Sequence, residues 1–185
     1  MKKIGQGSFG NIYSVMRLKD KMMFALKTEN KRAEKKLLKQ EAFNLITLQG
    51  FGIPKYITFG HTKNYNILIE ELLDKSLHDI FIQKKVKCNL IDICLIGIQL
   101  IDRLEWIHSK DIIYRDIKPE NFLLGLKNPN MIYVVDFGFC KKYRSSKTGK
   151  HILPKINKTF SGTVRYASPN VLRGKIASRR DVLFL

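Results

Sequence analysis

Residues 112–125 read IIYRDIKPENFLLG, and they pose the question on which the fold turns. Asp116, Lys118 and Asn121 crowd into six positions directly before an apolar run. Charged residues at a strand entrance are ordinarily a solvated loop. Further along, Asn121 enters a strand-like "NFLLG" and Asp136 leaves a second one, "MIYVVDFG", with the turn "LKNPN" between them. If 122–126 pairs antiparallel with 131–135, Asn121 and Asp136 meet at the open end of a hairpin, because paired strands lie about 5 Å apart. A carboxylate and an amide oxygen there suit Mg²⁺, which takes hard oxygen ligands and leaves positions for water and phosphate. Asp116 is then placed to accept a proton from a hydroxyl. Lys118 is placed to neutralise a moving phosphoryl group, which is the logic of transfer by positioning and electrostatics.

The flanks divide into two kinds of chain. "GNIYSVMRL" and "KMMFALKTE" are short, β-branched and aromatic, and read as strands of a meander; "KYITFG" and "YNILIEELL" read as two more. Residues 34–48 carry apolar positions among charges and predict an amphipathic helix, ended by "GFGIP". Asn89 is a good N-cap for a long helix from Leu90 to His108, with Ile93, Gly97, Leu100, Leu104 and Ile107 along one stripe. The order is strands with one helix, then mostly helix, which predicts an α+β chain with two lobes joined near 73–75.

The bulk properties bound the function. The chain has 185 residues and a formal net charge of +18. Residues 1–60 hold 12 Lys/Arg against 4 Asp/Glu, 61–138 hold 10 against 11, and 139–185 hold 12 against 1. Such a basic tail attracts polyanions: nucleic acid, anionic lipid, or acidic and phosphorylated protein. The three cysteines, Cys88, Cys94 and Cys140, have neither zinc spacing nor an even count, so a reducing compartment, cytoplasmic or nuclear, is expected. The N-terminus lacks the apolar core of a signal peptide. The most apolar segment, 90–101, is interrupted by Asp92 and Gln99 and is too short to span a bilayer.

Gly5 to Gly10, "GQGSFG", fits G-x-G-x-x-G, and two chemistries use that pattern. A dinucleotide fold wants a helix at the last glycine and an acid about 20 residues on, where Glu29 lies. The residues after Gly10 instead read as a strand, so a strand-loop-strand flap over nucleotide phosphates is the better fit, with a ligand-free glycine hairpin as the bland alternative. Lys27 comes next, in a strand whose residues alternate faces. Glu41, on the predicted helix, is a candidate partner that holds its ammonium against α- and β-phosphates. An exposed Lys27 with Glu41 on a solvated helix face is the plain alternative.

Taken together, "GQGSFG", "FALK", Glu41, "YRDIKPEN" and "DFG" stand in the order of the eukaryotic protein kinases, which this sequence resembles. Tyr114 stands where most kinases have His. "LQGFGIPKY", "SLHDIF", "IHSKDIIYRDIKPENFLLG", "VVDFGFCKKYR" and "SGTVRYASPN" resemble the casein kinase I family more narrowly. The resemblance implies the bilobal kinase fold: a β-rich small lobe with one helix (1–73) and an incomplete, mainly helical large lobe with the catalytic loop and activation segment (74–185). It implies an ATP-dependent Ser/Thr kinase that takes acidic or phospho-primed proteins, with ATP and Mg²⁺ as cofactors. Gly5, Gln6, Gly7, Ser8, Phe9 and Gly10 would cover the phosphates. Ile4, Ile12 and Ala25 would pack the adenine, with Glu71 and Leu73 at its edge. Lys27 and Glu41 would orient ATP, Asp116 would be the base and Lys118 the γ-phosphate contact. Asn121 and Asp136 would be the metal ligands. Lys158 and Arg165 fall where the family binds a substrate anion.

Besides Tyr114, the match departs from the family in three places. Ser168-Pro169-Asn170 lies between the A-P-E ending of most kinases and the Ser-Ile-Asn of casein kinase I. Near the end, either Val182 replaces an aspartate that braces the catalytic loop, or Asp181 takes that role after a one-residue gap. Glu70 replaces an apolar residue at the back of the adenine pocket, where an acid costs desolvation and is placed to compete with Glu41 for Lys27. Two other functions are kept open: an inactive or unstable kinase fragment that acts as a binding module, and a basic nucleic-acid binder, which no aromatic-basic interleaving supports.

Overall fold

The structure, a computed structural model, describes residues 1–7, 10–153 and 161–182. Ser8, Phe9 and Lys158 lie outside the described residues. The chain forms two compact units: 1–75 with 123–138, and 76–122 with 139–185.

The first unit is built on β1 (Lys2–Gly7), β2 (Gly10–Met16), β3 (Met23–Asn30), β4 (Tyr56–His61) and β5 (Tyr65–Glu71). They form one antiparallel sheet in the order β1-β2-β3-β5-β4. The predicted strands all form, and the chain continues from Gly10 as a strand, which removes the dinucleotide alternative. One helix, α1 (Leu38–Leu48), packs on this sheet and buries Leu38, Ala42, Leu45 and Leu48.

The helix starts at Leu38, four residues later than the amphipathic pattern predicts, and the reason lies on β3. Glu29 is 1% exposed, and its Oε1 accepts the backbone N–H groups of Leu37 and Leu38 at 2.6 and 2.9 Å. Its Oε2 accepts from Asn66 Nδ2 at 3.0 Å, the residue directly opposite it on β5. A strand carboxylate thus satisfies donors that a helix N-terminus cannot satisfy internally, and it sits at the favourable end of the helix dipole. Glu29 is a structural cap, not a ribose-binding acid. Glu29→Ala is expected to cost about 2 kcal/mol, since it orphans buried donors. A urea titration checks this, and an unchanged midpoint contradicts it.

Two further strands, β6 (Ile112–Ile113) and β7 (Phe122–Leu124), precede β8 (Ile132–Val134) and β9 (Lys141–Lys142). β7 and β8 pair as the expected hairpin. Segment 123–138 is tied to the first unit by Asp74 N–H to Leu124 O, Leu124 N–H to Lys75 O, Val134 N–H to Gly52 O and Asn44 Nδ2 to Phe137 O.

The second unit centres on α2 (Leu90–Ser109). Asn89 caps it as expected, and Asp92 completes a reciprocal capping box. The stripe is only half buried. Leu100, Leu104 and Ile107 are in the core, whereas Ile93 is 55% exposed. Ile93, Ile96 and Leu100 instead border an apolar cavity of about 650 Å³ with Leu77, Phe81 and Ile117. Leu90, Ile91, Leu95, Ile98 and Ile101 are also exposed. A single-turn π-type helix, His78–Gln83, and the pairing of β6 with β9 complete this part. Two short helices come last, α3 (Pro169–Leu172) and α4 (Arg179–Val182). Among the described residues, no helix is long and apolar enough to cross a membrane.

Candidate active site

In the first unit, one face of the sheet carries the chemistry. Strand alternation puts Ala25, Lys27 and Glu29 on the same side of β3, and the register places Glu70, Leu68 and Asn66 opposite them on β5. On β2, Ile12 lies opposite Lys27, and Gly5 of β1 lies opposite Ile12. α1 covers part of this face. Its N-terminus takes Glu29, and one turn further on Glu41 reaches Lys27, with Nζ–Oε1 at 2.5 Å. The Lys27–Glu41 pair predicted from sequence is therefore present, with Glu41 buried and the Lys27 side chain 12% exposed.

Glu70 is also there. Its Oε1 lies 2.9 Å from Lys27 Nζ, and the residue is 4% exposed. Burial by itself pulls the Lys27 ammonium down, but Glu41, Glu70 and Asp136 together outweigh it and hold the group above its ordinary range. Burial pushes Glu41 up to about 8; Lys27 opposes this, and the charges on Asp136 and Glu70 add to it.

The three glycines of the loop are not equivalent. A Cβ on Gly10 would stand 1.6 Å from Thr28 O, inside the β3 backbone. At Gly7 and Gly5 the nearest atom is the Ile12 side chain, at 3.5 and 4.0 Å. Gly10 is fixed by packing, and the other two leave their face of the flap open for a ligand. Of the remaining nucleotide candidates, Ala25 and Leu73 are buried, Ile12 is half-buried, and Ile4 and Gln6 are exposed on β1. Glu71 is engaged at the strand end, accepting Lys55 N–H at 3.1 Å. Asp136 has φ +62°, a left-handed backbone that turns the chain directly after β8, and its Oδ1 faces Gly138 N–H at 3.4 Å.

The second unit holds the other group. Asp116 is 2% exposed. Lys118 Nζ lies 2.8 Å from its Oδ2, and Thr163 Oγ1 donates to its Oδ1 at 2.8 Å. Lys118 also donates to Thr163 Oγ1 at 3.3 Å, closing a triangle. Asn121, in the 3₁₀ turn Pro119–Asn121, gives its Nδ2 hydrogens to Asp116 O at 2.9 Å and Asp116 Oδ2 at 3.1 Å. Both amide hydrogens are used, so the oxygen is the atom of Asn121 that suits a hard cation.

Sequence reasoning misses Thr163, since nothing local marks a threonine 47 residues beyond Asp116 as its partner. The signal that could have found it is the adjacent Gly162. Its φ is +109°, and a Cβ there would lie 2.6 Å from Arg115 O. Only glycine lets these two backbone segments approach so closely.

Tyr114, in place of the usual His, is fully buried, with Cys140 Sγ 3.7 Å from its carbonyl. Arg165 is exposed and its guanidinium lies 5.8 Å from the Tyr166 ring centroid. Asp181 accepts from Ser168 Oγ at 2.7 Å and from Ser178 N–H at 2.8 Å, while Val182 is buried at 2% exposure. Asp181 thus ties the end of the activation segment to the start of α4. The structure brings together Lys27, Glu41 and Glu70 in the first unit, which also contains Asp136. It brings together Asp116, Lys118 and Asn121 in the second.

A strand-loop-strand flap with an inward lysine paired to a helix glutamate, and an aspartate held by a lysine and an asparagine in one short loop, are arrangements for phosphoryl transfer. The family model described as protein kinase domain matches residues 1–182. Such domains transfer a phosphoryl group from ATP with the help of Mg²⁺, and this chain belongs to the protein kinase family.

Proposed function

We propose that the chain is a Ser/Thr kinase of the casein kinase I type, acting on acidic or already phosphorylated proteins in the cytoplasm or nucleus. The observation that carries the catalytic reading is the buried Asp116 network. Thr163, Lys118 and Asn121 each hold the carboxylate, so it is fixed in orientation before a substrate arrives. In this reading Asp116 accepts the proton of the substrate hydroxyl as the oxygen attacks phosphorus. Lys118 stays close enough to share the charge that develops on the transferred group. Lys27 holds the nucleotide phosphates, and Gly5 and Gly7 let backbone N–H groups approach them. Asn121 and Asp136 offer the hard oxygens that Mg²⁺ takes. When bound, the ion neutralises phosphate charge.

The substrate class rests on charge and on the narrower resemblance. Residues 139–185 hold 12 basic side chains against a single acid, and Arg165 is exposed within this segment. Cys88, Cys94 and Cys140 form no disulfide among the described residues, which suits a reducing compartment. The test is phosphoryl transfer from labelled ATP to matched peptides: a serine peptide with upstream acids or phosphoserine, its neutral counterpart, and a tyrosine version. The acidic serine peptide is expected to have at least about tenfold higher kcat/KM than the neutral one at low salt, with the advantage shrinking as salt screens the field. Equal use of all three peptides would falsify the substrate assignment. No transfer to any of them, despite nucleotide binding, would favour the binding-module alternative.

A further inference from the structure

One ammonium at the centre of the first unit has two partners. Lys27 Nζ lies within ion-pair distance of both Glu41 Oε1 and Glu70 Oε1, at 2.5 and 2.9 Å. The acids arrive from different elements, Glu41 from α1 and Glu70 from β5. A buried ammonium needs one carboxylate. A second costs desolvation and repels the first, so its presence calls for an explanation beyond neutralising the charge.

The difference between the two arms supplies one. Glu70 and Lys27 sit on neighbouring hydrogen-bonded strands. Ala25 is opposite Glu70 and Lys27 is opposite Leu68, so the two charged residues are diagonal neighbours on one face. Strand spacing sets the separation of their backbones, and only breaking the β3–β5 pairing changes that. Glu41 stands on a helix whose first turn is capped by Glu29 of β3, but whose own position beyond that cap rests on side-chain packing and can adjust without losing sheet hydrogen bonds. One arm is fixed to the strand that neighbours the lysine's own, and the other is adjustable.

We infer that Glu70 is a second anchor for Lys27, interchangeable with Glu41, so that either carboxylate alone keeps the ammonium extended along the sheet face beside Ile12. Glu70 is a positioning residue, acting on the nucleotide only through Lys27. The inference rests on the reading that Lys27 meets the nucleotide phosphates. It makes the station of the lysine independent of where α1 lies.

The test is a double-mutant cycle in the full chain: Glu41→Gln, Glu70→Gln, both together, and Lys27→Met as the reference for complete loss. The readouts are the Kd for a fluorescent Mg²⁺-ATP analogue and the urea midpoint. Each single change is expected to weaken nucleotide binding by about threefold. The double change should weaken it roughly tenfold beyond the product of the two, reaching the level of Lys27→Met. In urea, Glu70→Gln should hold or raise the midpoint by relieving repulsion, while the double change lowers it. If Glu41→Gln alone matches Lys27→Met, or if the two effects simply multiply, Glu70 is no anchor and the inference is overturned. If the wild-type chain binds no nucleotide, the nucleotide reading fails separately and the urea cycle decides alone. Non-additive midpoints then support the shared anchor, and additive ones refute it.

Discussion

Asp116→Asn is expected to lower phosphoryl transfer by about a thousandfold or more, the scale of losing a general base, while nucleotide affinity changes little. The substitution keeps the shape of the side chain, and the surrounding donors explain why it should fold. Asn can keep its oxygen toward Lys118 and Asn121, where Oδ2 now sits, and turn its amide toward Thr163. The hydroxyl of Thr163 can accept as well as donate. The cost is the charge component of the Lys118 contact, about 1 kcal/mol. Single-turnover transfer, nucleotide titration and a thermal melt read the three quantities separately. Wild-type transfer by the variant would sink the assignment of Asp116, and a lost cooperative melt would move its role from chemistry to folding.

The second large effect is expected at Gly10. An alanine methyl would sit 1.6 Å from Thr28 O and 2.8 Å from Thr28 C, and both are backbone atoms of the neighbouring strand. They cannot rotate away as a side chain would, so β2 must separate from β3. The expected cost is about 3 kcal/mol or more, the range of severe overpacking. Gly7→Ala serves as the control. Its methyl would make ordinary contacts with the Ile12 side chain, nearest at 3.5 Å, and with Gly10 O at 3.8 Å, and stability should stay within about 0.5 kcal/mol. Urea midpoints of the two variants give the answer, and equal midpoints would mean that the flap is not packed as described. The comparison also separates two reasons for glycine within a single motif. At Gly10 the residue is required by the sheet whether or not a ligand binds.

Short β-branched, aromatic and apolar runs between turn residues announce β2 to β5, although β2 and β4 bury no residue fully. Asn89 announces α2 because capping is local chemistry. The order of the glycine loop, Lys27, Asp116, Asn121 and Asp136 carries the family, since each is a short motif fixed by its neighbours. The hidden features depend on partners distant in sequence or on elements too short to show a period. In the sequence Glu29 is merely a spaced acid, and only the fold reveals the α1 amides above it. Thr163 reaches Asp116 across 47 positions. β6 and β9 are two residues each and pair with one another. The stripe on α2 predicts burial along its whole length, but apolar periodicity marks a face without saying how much of it finds a partner. Glu70 is visible in the sequence as an anomaly. Its 2.9 Å contact with Lys27 turns that anomaly into a defined ion pair.

The cap that Glu29 provides also bears on the order in which the first unit assembles. The first amides of α1 have their acceptor on β3, and that acceptor is oriented by Asn66 on β5. A helix of 11 residues is marginal alone, and here its nucleation site does not exist until two strands have paired. The α1 helix is therefore expected to form on the sheet rather than to seed it. In amide hydrogen exchange, the Leu38 N–H should exchange with the slow amides of β3 and β5, as part of one cooperative opening.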